Sequence, residues 1–215
     1  MKIELGSISL EGDLEIPEGA KGIVVFAHGS GSSRLSPRNQ HVAAVLRSAG
    51  LATLLFDLLT KEEDQTYQNR FDIPLLTKRL IETTQWLMNR EGTAGMKIGF
   101  FGASTGAASA LEAEFRLNNP LISAVVSRGG RPDLANKFLD KVKAPTLFIV
   151  GGDDRAVIPL NKTAFEKLRC EKDFVVVPGA SHLFEEPGML EIVAEKAKEW
   201  FLRFLNTNEH RQKTD

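Results

Sequence analysis

Apolar and polar residues alternate through the first sixteen positions of the chain. The apolar positions in this stretch are Ile3, Leu5, Ile8, Leu10, Leu14 and Ile16. A Gly-Ser pair at residues 6–7 interrupts the alternation. Because a period of two is typical of strands that bury one face, the stretch predicts an antiparallel hairpin at the start of the fold.

From residue 22 onward the alternation gives way to short, continuous apolar runs. The runs are IVVFA, LATLLF, MKIGFF, ISAVVS, APTLFIV and DFVVV. Runs of strand length without alternation are typical of parallel strands that are covered on both faces. They predict the inner strands of a parallel sheet.

Segments with helical spacing separate these runs. Leu76, Leu80 and Leu87 recur near the helical period in the middle of the chain, and Val193 and Ala197 belong to a similar pattern near its end. Strands alternating with helices predict an α/β fold, with a mostly parallel sheet, an antiparallel N-terminal hairpin and helices on both faces. Ligands of such a sheet bind beyond the carboxyl ends of its strands.

Length and composition favour a single domain. A chain of 215 residues with 42% hydrophobic residues can bury one full core, and no internal repeat or linker interrupts it. We expect one domain over residues 1–205 and a polar tail over residues 206–215. The longest connection without a predicted element covers residues 60–73, a polar segment placed to roof part of a site.

Charge and cysteine content exclude several classes of function. The 27 basic and 28 acidic side chains give a formal net charge of -1, so no overall field would hold a nucleic acid or an anionic membrane. Cys170 is the only cysteine, which excludes an internal disulfide and zinc sites built on cysteine pairs. No apolar stretch has the length of a signal peptide or a membrane span. We expect a soluble, cytoplasmic protein, whose oligomeric state the sequence leaves open.

The strongest chemical signal is the segment GASTG at residues 102–106, which fits the pattern G-x-S-x-G. It lies between the strand MKIGFF and an alanine-rich helix. A serine in this context lies on a tight strand-to-helix turn that presents its hydroxyl above the sheet, with the positive end of the helix behind it. The pattern therefore predicts that Ser104 is a nucleophile, although a turn that only needs small residues would look the same.

An acid and a histidine follow two later strands in the order that this motif requires. Asp153 and Asp154 come after PTLFIV, and His182 comes after DFVVV. Each could be a simple turn or loop residue. Their agreement with the order Ser, Asp, His predicts a catalytic triad of Ser104, Asp154 and His182. One of the two adjacent aspartates must turn toward the histidine, and we choose Asp154.

The early strand IVVFA ends in HGSGSS, a glycine-flanked turn that can offer a backbone N–H to an oxyanion. We assign the oxyanion donors to the N–H groups of Ser30 and of Thr105, the residue after the nucleophile. For His28, in the same turn, we favour a packed structural role, because a second base this far upstream has no evident function.

Several arginines follow the strand ends. Arg34 and Arg38 come after the HGSG turn, and Arg128 and Arg131 flank two glycines after ISAVVS. Guanidinium groups at strand ends can hold a substrate carboxylate, and we name Arg34 and Arg128 as substrate-binding candidates. Solvated arginines, or ion pairs to Asp57 and Glu62, explain the pattern equally well.

The segments FAHGSGSS, GASTG, GGDD and GASHLF together resemble the dienelactone hydrolase group of α/β-hydrolases, over nearly the whole chain. The resemblance implies an α/β-hydrolase fold without a large cap domain, a small ester or lactone as substrate, and neither a metal nor an organic cofactor. The lactone hydrolases that give the group its name use a cysteine where this chain has Ser104. This difference favours a serine esterase.

The resulting hypothesis is a serine hydrolase that cleaves small carboxylic esters, or lactones, through an acyl-enzyme. One alternative is a hydrolase fold that has lost catalysis and serves as a binding module. A second is a dinucleotide-binding protein, because Gly29-Ser30-Gly31 follows a strand and Asp57 ends the next one. Against this second alternative, Arg34 occupies the third glycine position and Pro37 delays the helix.

Overall fold

A computed structural model describes residues 1–206 of the chain, and they form one eight-stranded sheet flanked by helices. The strands are β1 (Lys2–Leu5), β2 (Ile8–Glu15), β3 (Gly22–Ala27), β4 (Ala52–Phe56), β5 (Lys97–Ala103), β6 (Ile122–Arg128), β7 (Thr146–Gly151) and β8 (Lys172–Val177). The helices are α1 (Pro37–Ser48), α2 (Lys61–Asp64), α3 (Ile73–Asn89), α4 (Thr105–Leu117), α5 (Ile158–Lys167) and α6 (Met189–Leu205).

The strand order across the sheet is β1-β2-β4-β3-β5-β6-β7-β8. The first two strands pair antiparallel, β2 pairs antiparallel with β4, and all later pairs are parallel. This is the α/β-hydrolase fold that the sequence predicted, and no large cap domain interrupts the described residues. The parallel arrangement brings the loops that follow β3, β5, β6, β7 and β8 to one edge of the sheet.

Two hydrophobic layers cover the sheet. Alternate residues of the inner strands point to opposite faces: Val25 of β3 belongs to a core cluster shared with α3, α4 and α5, whereas Val24 belongs to a cluster shared with α1 and α6. Both faces are apolar because both are covered by helices, which explains the continuous apolar runs in the sequence. Strand β8 is the exception, since it forms the sheet edge and Val176 is exposed.

The segment 60–73, predicted as a connection without regular structure, contains a short helix and a 3-10 turn. Thr60 and Glu63 cap the start of α2 reciprocally, each side chain bonding to the other's backbone N–H. The 3-10 turn over Tyr67–Phe71 is held by Arg70, whose guanidinium binds the Asp64 carboxylate. The T-x-x-E pattern of the capping box is visible in the sequence, so this element was predictable.

The domain over residues 1–205 and the polar tail over residues 206–215 stay predictions. Helix α6 ends at Leu205, and residues 207–215 of the predicted polar tail lie outside the described residues. Within residues 1–206, no helix combines the length and the apolar character needed to cross a membrane.

The packing of α6 yields a prediction about stability. Phe201 is fully buried and lies over Gly99 of β5, where even a Cβ atom would meet its ring at 2.5 Å. Replacing Phe201 with Ala should lower the free energy of unfolding by about 3–5 kcal/mol, because the lost ring leaves a cavity. Urea unfolding measures the change.

Ile192 provides the control for this experiment, because it lies on the same helix with an exposed side chain. Replacing Ile192 with Ala should change the free energy of unfolding by less than about 1 kcal/mol. Equal losses for the two variants would contradict the proposed packing of α6.

Candidate active site

Ser104 occupies the turn between β5 and α4 in a backbone conformation that non-glycine residues seldom adopt. Its φ and ψ are 50° and -120°, a strained combination for a residue with a side chain. The residue precedes the first turn of α4, so the positive end of the helix dipole lies directly behind it. This geometry is the strand-to-helix elbow that the G-x-S-x-G pattern predicts.

Both glycines of the motif are required by close backbone approach. A Cβ atom at Gly102 would lie 2.5 Å from the Cα of Ala107 in the helix that follows. A Cβ atom at Gly106 would overlap the carbonyl oxygens of Ala27 and His28 at the end of β3. The elbow therefore fits against the neighbouring strand only because these two positions carry no side chain.

The turn after β6 fixes the Ser104 backbone. The N–H of Ser104 donates to the carbonyl of Arg128 at 3.2 Å, and the N–H of Arg131 donates to the carbonyl of Ser104 at 3.0 Å. The elbow is therefore bonded on both sides to the segment 128–131, which limits its freedom to relax from the strained conformation.

Asp154 and His182 form a direct hydrogen bond. The Nδ1–H of His182 donates to Oδ2 of Asp154 over 2.6 Å, with the Asp154 side chain 9% exposed and the His182 side chain 37% exposed. Asp153 points into solvent and takes no part in the pair. Of the two aspartates considered from the sequence, the structure thus brings Asp154 to the histidine.

The loops that carry these two residues are joined by backbone contacts. The N–H of Asp153 donates to the carbonyl of Ala180 at 3.0 Å, and the N–H of Gly152 donates to that of Val177 at 2.8 Å. A Cβ atom at Gly151 would collide with the Ala180 and Ser181 carbonyls. The glycines of GGDD therefore allow the histidine loop to cross the aspartate loop closely.

Ser104 and His182 both border the turn after β6. The carbonyl of Arg128 accepts the N–H of Ser104. The next residue, Gly129, lies against His182, because a Cβ atom at Gly129 would be 3.5 Å from Nδ1 of the His182 ring. Neither the Ser104 hydroxyl nor Nε2 of His182 has a hydrogen-bond partner within residues 1–206. The structure thus gathers the three predicted residues at one edge of the sheet, with no hydrogen bond between serine and histidine.

The turn after β3 lies directly beside the elbow. A Cβ atom at Gly29 would be 3.1 Å from Cβ of Ser104. The N–H of Ser30 donates to Oγ1 of Thr105 at 2.9 Å, whereas the N–H of Thr105 has no acceptor in the described part of the chain. Of the two predicted oxyanion donors, the N–H of Thr105 is therefore free, whereas the N–H of Ser30 already donates to a side-chain hydroxyl. No residue pattern in the sequence predicts this contact.

His28 is the packed structural histidine that we favoured. Its Nδ1–H donates to the carbonyl of Gly29 at 2.9 Å, and its Nε2 accepts the N–H of Leu58 at 3.0 Å. Burial lowers the pKa of His28 below its ordinary value of 6.5, against the opposing effect of its bond to Gly29. Because the peptide is trans, the Gly29 carbonyl that bonds to the ring and the Ser30 N–H that donates to Thr105 point in opposite directions.

Arg34 is committed to ion pairs. Its guanidinium binds the carboxylate of Asp57 at 2.8 Å and lies 3.4 Å from that of Asp13, and its backbone N–H also donates to Asp57. Two carboxylates thus already partner the charge of Arg34, and its substrate-binding role stays a prediction. The pair also occupies both oxygens of Asp57, the acid that a dinucleotide-binding protein would use for a ribose.

Arg128 is buried without a carboxylate partner. Its Nη2 donates to Asn39 at 3.2 Å, its guanidinium lies 5.8 Å from the ring of Phe184, and its Nε has no partner. Burial, reinforced by the charge of Arg38, lowers the pKa of Arg128 to about 10, so it is cationic at neutral pH. A substrate-binding role for Arg128 stays a prediction.

The loop that carries His182 is held from the side of α1. Arg38 bonds to Glu185 at 2.9 Å, and the ring of Phe184 covers Arg128. Phe184 has a φ of 57°, so the loop keeps a conformation that a non-glycine residue adopts only when its surroundings impose it. Spacing along the chain gave no signal for these contacts, of which the one between Arg38 and Glu185 joins residues 147 positions apart.

A cavity of about 130 Å³ lies next to the turn after β3. Its walls come from residues 28–33 on one side and from residues 57–76 on the other, including the capped helix α2. Ser104 and His182 lie outside its wall, and Ser30 links it to the elbow. Within residues 1–206, no group of three His, Cys, Asp or Glu side chains is arranged to hold a metal ion.

A family model agrees with this architecture over nearly the whole chain. The model of the dienelactone hydrolase family matches residues 10–210. Among solved structures, a dienelactone hydrolase from Anabaena variabilis is 55% identical, with a TM-score of 0.93 over 96% of this chain and 97% of that chain. Est1E from Butyrivibrio proteoclasticus has the same fold at 18% identity, with a TM-score of 0.80 over 94% of this chain and 97% of its own.

Similar sequences also occur within longer proteins. A Mycobacterium tuberculosis protein named "Putative phosphoribosyl transferase" is 54% identical over 207 residues, which cover 95% of this chain and 46% of that protein. The chain thus spans about half the length of the curated relatives that it matches.

The environment of His28 predicts a pH dependence of stability. Because its pKa is lowered by burial, the neutral ring stabilises the fold fully above about pH 6.5, and this contribution is lost as the pH falls through the lower, folded-state pKa. His28→Gln should therefore be less stable than the wild type above pH 6.5, with a difference that narrows on acidification by up to about 1.4 kcal/mol per pH unit. Urea unfolding across this range measures it. A difference that does not vary with pH would contradict the assignment.

Proposed function

The chain belongs to the dienelactone hydrolase family, and from this premise we propose that it hydrolyses small carboxylic esters, or lactones, with Ser104 as nucleophile, His182 as base and Asp154 as the supporting acid. The observation that carries the proposal is the 2.6 Å bond between His182 and Asp154, at the same sheet edge as a serine on a strained elbow. The family itself supports a hydrolase. The ester substrate and the serine mechanism are our proposal.

The hydrogen bond to Asp154 holds His182 in the tautomer that a general base needs. Nδ1 carries the proton that is donated to the carboxylate, so the neutral ring keeps a lone pair on Nε2. As Oγ of Ser104 attacks the acyl carbon, Nε2 takes its proton, and the imidazolium that forms is stabilised by the adjacent carboxylate. The low exposure of Asp154 strengthens this stabilisation, because less water screens the pair.

The attack moves negative charge onto the carbonyl oxygen of the substrate. The free N–H of Thr105 and the positive end of α4 lie next to Ser104 and can stabilise that charge. Collapse of the tetrahedral intermediate expels the alcohol, which takes its proton from His182, and leaves an acyl-Ser104 ester. Water, deprotonated by the same histidine, then cleaves the ester and restores the enzyme.

The cavity beside Ser30 supports a small substrate. A volume of about 130 Å³ accommodates a short acyl or alcohol group. This size fits the small ester that we propose as the substrate. The uncharged turn at residues 28–33 lines one side, and Lys61 and Arg70 lie on the other. Arg128 can contribute to binding a substrate carboxylate, whereas Arg34 is neutralised by Asp13 and Asp57.

The transferase activity in the name of the mycobacterial relatives is not proposed for this chain. The matched region is less than half of those proteins, and the arrangement around Ser104 suits acyl transfer to water. A non-catalytic binding module is the remaining alternative, and it predicts an unreactive Ser104. The experiment that separates the two is labelling of Ser104.

A fluorophosphonate probe should label the wild-type protein once, at Ser104, because an activated serine attacks phosphorus and expels fluoride. Ser104→Ala should take up no label and should lose ester hydrolysis by at least about 10⁴-fold. Intact-mass spectrometry and the hydrolysis of 4-nitrophenyl acetate measure the two effects. Labelling at another residue, or unchanged hydrolysis by the variant, would refute the nucleophile assignment.

The two adjacent aspartates offer a matched pair for testing the acid. Asp154→Asn should lower kcat by about 10³- to 10⁴-fold, because an amide no longer stabilises the imidazolium and favours the wrong tautomer. Asp153→Asn should keep kcat within about 3-fold, since the exposed Asp153 side chain does not bind His182. Steady-state kinetics on the same ester measures both. A larger loss for Asp153→Asn would reverse the assignment.

A further inference from the structure

The hydroxyl of Thr105 accepts a hydrogen bond, but its own O–H is not donated. Ser30 N–H donates to Oγ1 of Thr105 at 2.9 Å, and the Thr105 residue is only 5% exposed. A hydroxyl has one O–H to donate and two lone pairs to accept with. Within residues 1–206 no acceptor receives the O–H of Thr105. A buried hydroxyl proton without an acceptor is unfavourable unless something else binds it.

The position of Thr105 in the chain removes the usual local acceptor. Inside a helix a threonine hydroxyl commonly bonds to the carbonyl four residues earlier. Thr105 is the first residue of α4, and the residue four positions earlier is Phe101, which lies in β5. The proton of the hydroxyl thus has no acceptor in its own helix, and Thr105 directly follows Ser104 in the chain.

We propose that the Thr105 hydroxyl is itself an oxyanion donor, held in place by the Ser30 N–H. This inference rests on the function proposed above. In the tetrahedral intermediate the oxyanion would accept two hydrogen bonds from one residue, from the backbone N–H and from the side-chain O–H of Thr105. Ser30 acts behind the hydroxyl: its N–H fixes the side-chain rotamer and, by donating to Oγ1, polarises the O–H toward the negative charge.

The proposal differs from the usual arrangement of two backbone donors. In that arrangement the Thr105 hydroxyl accepts the Ser30 N–H only in the free enzyme. The Thr105 side chain must then rotate away so that the Ser30 N–H can donate to the substrate. Removing the hydroxyl then frees a donor and leaves the rate unchanged or raises it. If the hydroxyl is the donor, removing it lowers the rate. The two arrangements thus predict effects of opposite sign.

Thr105→Val tests this difference, because it replaces the hydroxyl by a methyl group of similar size. We expect kcat for 4-nitrophenyl acetate to fall by about 10²-fold, as for the loss of one oxyanion donor, with KM changed by less than about 3-fold. Thr105→Ser, which keeps the hydroxyl, should retain kcat within about 5-fold. A Thr105→Val variant with an unchanged or increased kcat would overturn the proposal.

Inhibition by a trifluoromethyl ketone is a second measurement. It should not change if the Thr105 hydroxyl has only a structural role. Ser104 Oγ adds to the carbonyl carbon of the ketone, the π electron pair becomes an alkoxide, and the serine proton passes to His182. Its inhibition constant should rise in Thr105→Val by the same factor as kcat falls, because the alkoxide occupies the oxyanion position. A normal inhibition constant would contradict the proposal.

Two controls keep the outcome interpretable. Thr83→Val removes a buried hydroxyl that has no hydrogen-bond partner and lies in α3, outside the elbow, and should leave kcat unchanged. If Thr105→Val does not fold, Thr105→Ala removes the hydroxyl without adding bulk, and must show the same loss. A wild type that takes up no fluorophosphonate label refutes the proposed function, whereas a labelled wild type with a fully active Thr105→Val refutes only the role of the hydroxyl.

Discussion

The close approach of the first turn of α4 to the end of β3 is the constraint on which the rest of the site depends. Gly106 lies where any side chain would overlap the Ala27 and His28 carbonyls, and a Cβ atom at Gly102 would lie 2.5 Å from the Cα of Ala107. With the helix this near the sheet, the connecting residue must take a positive φ, and that residue is Ser104. The strain is sustained by backbone bonds to the segment 128–131. The same approach brings Thr105 within hydrogen-bond distance of Ser30.

The other loops meet the elbow through similar backbone contacts. Gly151 lets the histidine loop cross the aspartate loop, and Gly129 brings His182 against the turn that holds Ser104. His28 orients the peptide that carries the N–H of Ser30. The side chains thus take their positions from the sheet edge, and each functional loop is fixed by a neighbouring strand. An arrangement of this kind suits preorganised electrostatic stabilisation, because the donors need little reorganisation when charge develops.

The sequence predicted most of the fold, because the signals involved are local or repeat along the chain. Each apolar run became a strand, and the spacing of Leu76, Leu80 and Leu87 became α3. The choice of Asp154 over Asp153 agreed with the observed contact to His182. The sequence could not predict which polar side chains pair with each other, because only the folded chain decides those contacts. Arg34 and Arg128 look alike in the sequence, yet one has two carboxylate partners and the other has none. The contact of Thr105 with Ser30 depends on one side-chain rotamer, which no pattern of residues encodes.

The ion pairs of Arg34 connect three segments that are far apart in the sequence. Asp13 belongs to the antiparallel hairpin, Asp57 follows β4, and Arg34 follows the turn that carries Ser30. One guanidinium thus joins the hairpin to the turn that carries Ser30, so a displacement of the hairpin would reach that turn. Screens for altered turnover of the proposed ester substrate should therefore find sensitive positions in the first fifteen residues.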